Sequence, residues 1–216
     1  MWYEFCRACF RLPAAMGFQL RYTGQYNIPL EGAVVVVSNH QSHLDPPLVG
    51  AGCPRQMNYL ARDTLFGFTP FAWLMLSLGA IPIDREGGGL AGIKETLRRL
   101  KRGAMVLMFP EGTRTRDGRI GPFRPGFTTM AVRGRAAVLP VAIEGAYHAW
   151  PKRRTFPGPG TIHVHYGPAI SPEAVSEFSE AQLIAEAERR VRACHELLCR
   201  RPVFAGHAGM GQPSSH

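Results

Sequence analysis

His40 and Asp45, in the stretch Ser38-Asn39-His40-Gln41-Ser42-His43-Leu44-Asp45-Pro46-Pro47, are the side chains best suited to moving a proton. A carboxylate bonded to one imidazole nitrogen fixes the tautomer and leaves the other nitrogen as a base near neutral pH. On a continuous helix, residues five apart diverge by about 140°, so such a dyad needs a strand–turn–helix path. The same residues admit a plainer reading, in which Asp45 caps a helix begun by Pro46 and His40 is an ordinary loop histidine. By spacing alone His43 is a rival base. Ser42 is a nearby hydroxyl better suited to a turn, or to contacting the dyad, than to attack.

Two more stretches end in an acid and an arginine: Gly79 to Asp84-Arg85, and Phe109-Pro110-Glu111-Gly112-Thr113-Arg114. Gly112 allows a tight turn whose backbone N–H groups can face an anion. Arg85 and Arg114 could clamp a phosphate between them. Either stretch alone also reads as a turn closed by a salt bridge.

What must position these residues is a set of short apolar runs. Ala33 to Val37 contains four consecutive valines, stiff at χ1 and suited to a buried strand ending at Ser38. Chemistry released at the C-terminal end of such a strand is where α/β sheets present it. Further strands are expected at Met57–Leu60, Ala80–Ile83, Met105–Phe109 and Val138–Ile143, the last at an edge or a bulge because of Pro140. Ile162, Val164 and Tyr166 alternate with His163 and His165, which predicts a half-exposed strand with solvent-facing histidines. Leu90, Ile93, Leu97 and Leu100 form a helical stripe stopped by Gly103. Ser179-x-x-Gln182 opens a helix as a capping box, with Ile184, Ala187, Val191, Cys194 and Leu198 on one face. The expected fold is a single α/β domain, a mixed and mostly parallel sheet flanked by helices. Residues 1–30 are expected to be an amphipathic, interfacial segment, 31–202 the domain, and 203–216 a frayed tail.

Taken in this order, the motifs closely resemble those of the glycerolipid acyltransferase family, most of all the 1-acyl-glycerol-3-phosphate acyltransferases. The first block is met by Asn39-His40-Gln41-Ser42-His43-Leu44-Asp45, the second by Gly79 through Asp84-Arg85, and the third in full by Phe109 to Arg114. Pro122-Phe123-Arg124-Pro125-Gly126 and Val138-Leu139-Pro140-Val141-Ala142 match the downstream segments, with Pro125 standing where a second basic residue is common. The resemblance implies that His40, held by Asp45, is the general base, and selects it over His43 because it directly follows Asn39. It implies phosphate and glycerol binding by Arg85, Glu111, Gly112, Thr113 and Arg114, with Glu111 orienting an arginine or accepting a glycerol hydroxyl. Asn39, Ser42, Asp84 and Pro110 are supporting residues. The implied reaction esterifies a lysophospholipid from an acyl-CoA or acyl-carrier-protein thioester, with no cofactor and no metal. A thioester is already activated, so no enzyme nucleophile is required, and no Gly-x-Ser-x-Gly elbow occurs in the chain.

The formal net charge of +9 across 216 residues calls for an anionic partner. Nearly all of that charge is arginine, which suits bidentate phosphate contacts, although a GC-rich coding sequence gives the same bias. A non-catalytic basic protein binding nucleic acid or anionic membrane would account for the charge. It would leave the histidine–acid pair and the arginines at strand ends unexplained, and no nucleic-acid motif is present. The expected partners are therefore a lysophospholipid, an acyl thioester, in some cases an acyl carrier protein, and a membrane surface. Attachment would be peripheral or monotopic, on the cytoplasmic face. Met1 to Leu20 mixes aromatics with arginines, as an interfacial segment would. The uncharged run Thr64–Ile83 is broken by Gly67, Pro70 and Gly79, which points to a short buried or membrane-dipping helix before a strand rather than a span. Five cysteines cannot all pair, so reduced thiols are expected.

Overall fold

A computed structural model of the chain describes residues 18–62, 76, 79–83, 90–151, 154 and 158–200. Among these residues seven strands form one sheet: β1 (Phe18–Thr23), β2 (Val34–Ser38), β3 (Met57–Arg62), β4 (Ala80–Ile83), β5 (Met105–Met108), β6 (Ala137–Glu144) and β7 (Gly160–Tyr166), in the spatial order β1-β7-β6-β2-β5-β3-β4. The five strands from β6 to β4 are mutually parallel; β7 runs antiparallel to β6, and β1 pairs parallel with β7. The sheet is mixed and mostly parallel, as the sequence implies.

The four valines of β2 explain why it lies at the centre. All four are fully buried: Val34 and Val36 enter one core with Leu48 and Val49, while Val35 and Val37 enter the other with Phe127 and Val191. A strand buried on both faces reads as a continuous apolar run, which is the form this one takes. Each valine contributes about 1.5–3 kcal/mol by area, against about 0.5–1.5 kcal/mol for a typical hydrogen bond. Packing, more than the loop's own bonds, therefore fixes where β2 ends.

Among the described residues six α-helices are complete enough to bound: α1 (Asp45–Gly52), α2 (Leu90–Leu100), α3 (Gly126–Gly134), α4 (Ala146–Ala149), α5 (Pro172–Glu177) and α6 (Glu180–Cys199). The capping box of α6 is present, with Ser179 and Gln182 bonding each other's backbone N–H. Its buried row is Leu183, Ala187, Val191, Cys194 and Leu198; Ile184 lies at the margin of that row.

Several expectations change. The stripe expected on α2 is only half buried: Leu100 packs inside, but Leu90 and Ile93 are exposed, and the inner row is Gly92, Thr96 and Leu100. Helices α2 and α3 approach so closely that a Cβ on Gly134 would lie 2.9 Å from Leu100, which selects small residues for the contact. Pro140 sits in a central strand, paired with Val37, and not at an edge. Its neighbour Val138 exchanges backbone bonds with Ile170, and its own carbonyl accepts from Gly167, so its missing N–H faces the interval between them where β7 has ended. His163 is buried and not solvent-facing, while His165 bonds the Thr23 hydroxyl of the β1 side at 2.8 Å.

Of the expected interfacial segment, the described part includes strand β1; Met1 to Gly17 lie outside the described residues, as do most of Thr64–Leu78 and the tail after Arg200. Among the described residues no helix is long and apolar enough to cross a membrane.

Candidate active site

Because β2, β5 and β6 are parallel and in register, their C-terminal ends open on one edge of the sheet. Val37 pairs with both Met108 and Pro140, so the residues that follow β2 and β5 emerge together, beside β6, which runs on to Glu144. The path is next held by Asn39, whose buried side chain donates to the carbonyl of Ile143 at 2.9 Å and accepts its N–H at 2.8 Å. Asn39 thereby extends the β2–β6 ladder by one side-chain rung and sets the direction in which His40 leaves the strand.

His40 and Asp45 meet. Nδ1 of His40 lies 2.7 Å from Oδ2 of Asp45, and the histidine side chain is 18% exposed whereas that of the aspartate is fully buried. An ionised carboxylate only accepts, so the imidazole proton belongs on Nδ1 and the lone pair on Nε2. The ring is stacked on Phe109 at 4.0 Å between centroids, which locks its plane.

Asp45 is not the helix cap the sequence suggests. Leu44 occupies that position without a side-chain bond, and Asp45 stands in the first turn with Pro46 behind it. Its Oδ2 instead gathers three donors: His40 Nδ1 and the backbone N–H groups of Gln41 and Ser42, at 2.5 and 2.7 Å. The other oxygen, Oδ1, is buried without a hydrogen bond. One carboxylate thus shapes the loop and orients the ring together.

Ser42 is fully buried; its hydroxyl donates to the Trp150 carbonyl at 2.9 Å and accepts from Leu44 N–H at 3.3 Å. It is a turn residue. His43 faces Trp150, and its pKa is lowered by burial first and then by the positive charge of Arg114.

Glu111 carries the largest departure from expectation. It is 7% exposed, and both oxygens are taken by backbone donors: Oε1 by His40 N–H at 2.8 Å, Oε2 by Gly121 N–H at 2.9 Å. That burial leaves it a brace between loops, not an open contact for a glycerol hydroxyl. Desolvation pushes its carboxyl above the usual range, partly offset by those two N–H bonds. Thr115 N–H completes the brace by donating to the His40 carbonyl at 2.8 Å. Pro110 is buried and its carbonyl accepts from Arg124 N–H at 3.0 Å.

Gly112 adopts φ 71°, a left-handed turn that side-chain-bearing residues avoid. A Cβ there would come within 3.7 Å of the Arg124 guanidinium, so that cation lies over the turn. Thr113 is exposed and Arg114 is half-buried on the same loop. Asp84 and Arg85 lie outside the described residues, following β4, whose C-terminal end is at the same edge.

Sequence reasoning passed over Gln41, Phe109, Gly121 and Arg124 as site residues. Gln41 anchors the loop from its far side, donating to Glu144 at 3.1 Å and accepting from Tyr147 N–H at 3.2 Å. The aromatic Phe109 at a strand end was the available signal for the ring stack. Nothing in the spacing points to Gly121.

Known proteins resemble this chain in both sequence and fold. A model of the acyltransferase family matches residues 19–144, which include every described residue of the site up to Glu144. The chain is 36% identical over 192 residues to the 1-acyl-sn-glycerol-3-phosphate acyltransferase of Pseudomonas aeruginosa, covering 87% of this chain and 72% of that protein. It is 30% identical over 144 residues to the Bacillus subtilis protein of the same name, covering 66% of this chain and 71% of that one. The crystal structure of the 1-acyl-sn-glycerophosphate (LPA) acyltransferase PlsC from Thermotoga maritima superposes with a TM-score of 0.74 at 31% identity, covering 84% of this chain and 73% of that chain.

Proposed function

The chain belongs to the acyltransferase family, and from that premise we propose that it is an O-acyltransferase esterifying the free hydroxyl of 1-acyl-glycerol-3-phosphate to give phosphatidic acid. The observation that carries the reading is a solvent-reachable imidazole whose Nδ1 is bonded at 2.7 Å to a fully buried aspartate. In the proposed reaction Nε2 of His40 takes the proton of the acceptor hydroxyl as its oxygen attacks the thioester carbonyl. Collapse of the tetrahedral intermediate expels the thiolate, which recovers the proton from the imidazolium; the products are an ester and a free thiol. Asp45 stabilises the imidazolium between the two transfers.

Direct attack is favoured over an acyl-enzyme because Ser42 spends its hydroxyl on Trp150 and Leu44. A phosphorylated acceptor is favoured because Arg124 lies over the Gly112 turn and Arg114 follows it on the same loop, and arginine matches phosphate oxygens in pairs. Arg85 is the proposed third cation. The acyl donor is an acyl-CoA or acyl-carrier-protein thioester, and the enzyme works at the cytoplasmic face of a membrane to which it attaches without spanning.

Purified protein supplied with a thioester and a panel of acceptors tests the reading. Thiol release and a mass corresponding to phosphatidic acid are expected with 1-acyl-glycerol-3-phosphate. Turnover of lysophosphatidylcholine, glycerol-3-phosphate or a lyso-aminolipid in its place would move the acceptor assignment while leaving the chemistry standing. No turnover of any acceptor would overturn the proposal.

A further inference from the structure

The C-terminal end of α6 holds a second group of chemistry-bearing side chains. His195 and Cys199 are four residues apart on that helix and therefore share a face, one turn apart. Glu144, the last residue of β6, reaches them from the sheet: its Oε2 lies 2.5 Å from Nε2 of His195, and Sγ of Cys199 lies 3.7 Å from Nδ1 of the same ring. The donor atoms of the three residues fall within 4.8 Å of one another, with Glu144 and His195 half-buried and Cys199 exposed. Both supporting elements are firmly seated, since Ala187, Val191, Cys194 and Leu198 of α6 and Val141 to Ile143 of β6 are all buried.

We propose that His195 and Cys199 bind a thiophilic divalent cation of the zinc class, with Glu144 as the outer carboxylate that holds the imidazole. Zinc–nitrogen bonds of about 2.0–2.1 Å and a zinc–sulfur bond of about 2.3 Å, at a tetrahedral angle, set two such ligands about 3.5 Å apart. The observed separation of 3.7 Å is close to that without moving either element. Glu144, as an acceptor at Nε2, places the ring proton there and turns the Nδ1 lone pair towards the sulfur. That carboxylate–histidine arrangement is the usual support of a metal-bound imidazole.

The donor set also chooses the ion. Thiolate with imidazole suits zinc and its neighbours, whereas magnesium and calcium require oxygen ligands. Binding would release the thiol proton to solvent. With two protein ligands, the remaining positions fall to water, which describes an exchangeable site and not a zinc that holds the fold together. The site is independent of the proposed acyl transfer, although Glu144 also accepts from Gln41 of the catalytic loop. It departs from the expectation of no metal. That expectation came from the family resemblance, and the sequence itself gives no sign that Glu144 lies beside His195 and Cys199.

Alkylation of the full-length protein with N-ethylmaleimide, with and without zinc chloride, followed by peptide mass spectrometry, tests the site at the level of one thiol. Peptide resolution separates it from any zinc taken by the chain's other cysteines. With zinc at ten times its dissociation constant the free thiol falls to about one part in eleven, so Cys199 should label about ten-fold more slowly. Chelation should restore the rate, and magnesium should not mimic zinc. His195→Ala should abolish the protection, and Glu144→Gln should weaken zinc affinity about 10–100-fold. Unchanged labelling of wild-type Cys199 in zinc would overturn the proposal, as would full protection in a folded His195→Ala protein.

Discussion

The backbone N–H of His40 donates to Oε1 of Glu111 at 2.8 Å, which joins the loop after β2 to the loop after β5 by a buried carboxylate. The second oxygen of Glu111 holds Gly121 in the same way. The segments around Glu111 and Gly121 are thus clamped to the distant peptide that carries the proposed base. A preorganised base needs this kind of support, because catalytic contacts lose effect when their geometry loosens.

Glu111→Gln should lower stability and turnover together. One oxygen becomes an NH2 that faces a backbone donor, and the stranded buried N–H costs about 1–3 kcal/mol. The pH dependence gives a second signature. Burial holds the Glu111 carboxyl above its ordinary value of 4.5. A raised carboxyl contributes stability that is complete below the unfolded value and is lost as pH climbs through the folded one. Unfolding free energy measured by denaturant should therefore decline less over that window in Glu111→Gln than in the wild type. Identical slopes would show that Glu111 is not the buried carboxylate described.

The sequence made the centre of the fold legible and left its cross-links hidden. Four valines announce a doubly buried strand, and the Ser179–Gln182 box announces the start of α6, because both signals are local. The partners of Glu111 and Asn39 come from other strands, at separations of 71 and 104 residues, and no local pattern encodes them. Asp45 misleads for a related reason. Aspartate before proline at a helix start is commonly a cap, but here the loop folds back so that its carboxylate serves Gln41, Ser42 and His40. Pro140 misleads because a proline can occupy a central strand where its neighbour has already ended. The buried His163 contradicts simple alternation, since that reading supposes one face of β7 to be open.

Asp45→Asn should be severely impaired in turnover, since an amide neither stabilises imidazolium nor reliably holds the required tautomer. It should also lose stability. An amide oxygen in place of Oδ2 can still accept from Gln41 and Ser42, but an NH2 in place of Oδ1 buries a donor where the carboxylate oxygen makes no hydrogen bond. The cost is about 1–3 kcal/mol. A variant as stable as the wild type and fully active would show that Asp45 serves neither the loop nor the ring.

Ser42→Ala and His43→Ala should both keep substantial activity. Loss of the Ser42 hydroxyl removes its bond to Trp150 and leaves Leu44 N–H unmatched, a change of about 1–3 kcal/mol in stability. His43, its pKa lowered by burial and by Arg114, is a neutral neighbour of the site. Incubation with thioester in the absence of acceptor should leave no acyl group on Ser42 by intact-mass analysis. A trapped acyl-Ser42 would replace direct attack with a two-step mechanism.

Arg114→Ala should act on acceptor binding. Removing a charge-assisted bond to phosphate is worth about 1.5–3 kcal/mol, or roughly 10–150-fold in KM for the phosphorylated acceptor, with kcat little changed. Steady-state kinetics at saturating thioester separates the two parameters. An unchanged KM with a collapsed kcat would remove Arg114 from the phosphate site.

In the proposed reaction the imidazole of His40 takes the acceptor's proton, and the turnover number of His40→Ala reports on that step. Measured at saturating thioester and acceptor, kcat should fall by about 10²–10⁴-fold, the usual share of general acid–base catalysis. The unfolding midpoint should stay near that of the wild type, because the ring is partly exposed, Glu111 keeps its backbone donor from residue 40, and Asp45 keeps two of its three donors, both backbone N–H groups. A folded His40→Ala protein that turns over at the wild-type rate would contradict the account.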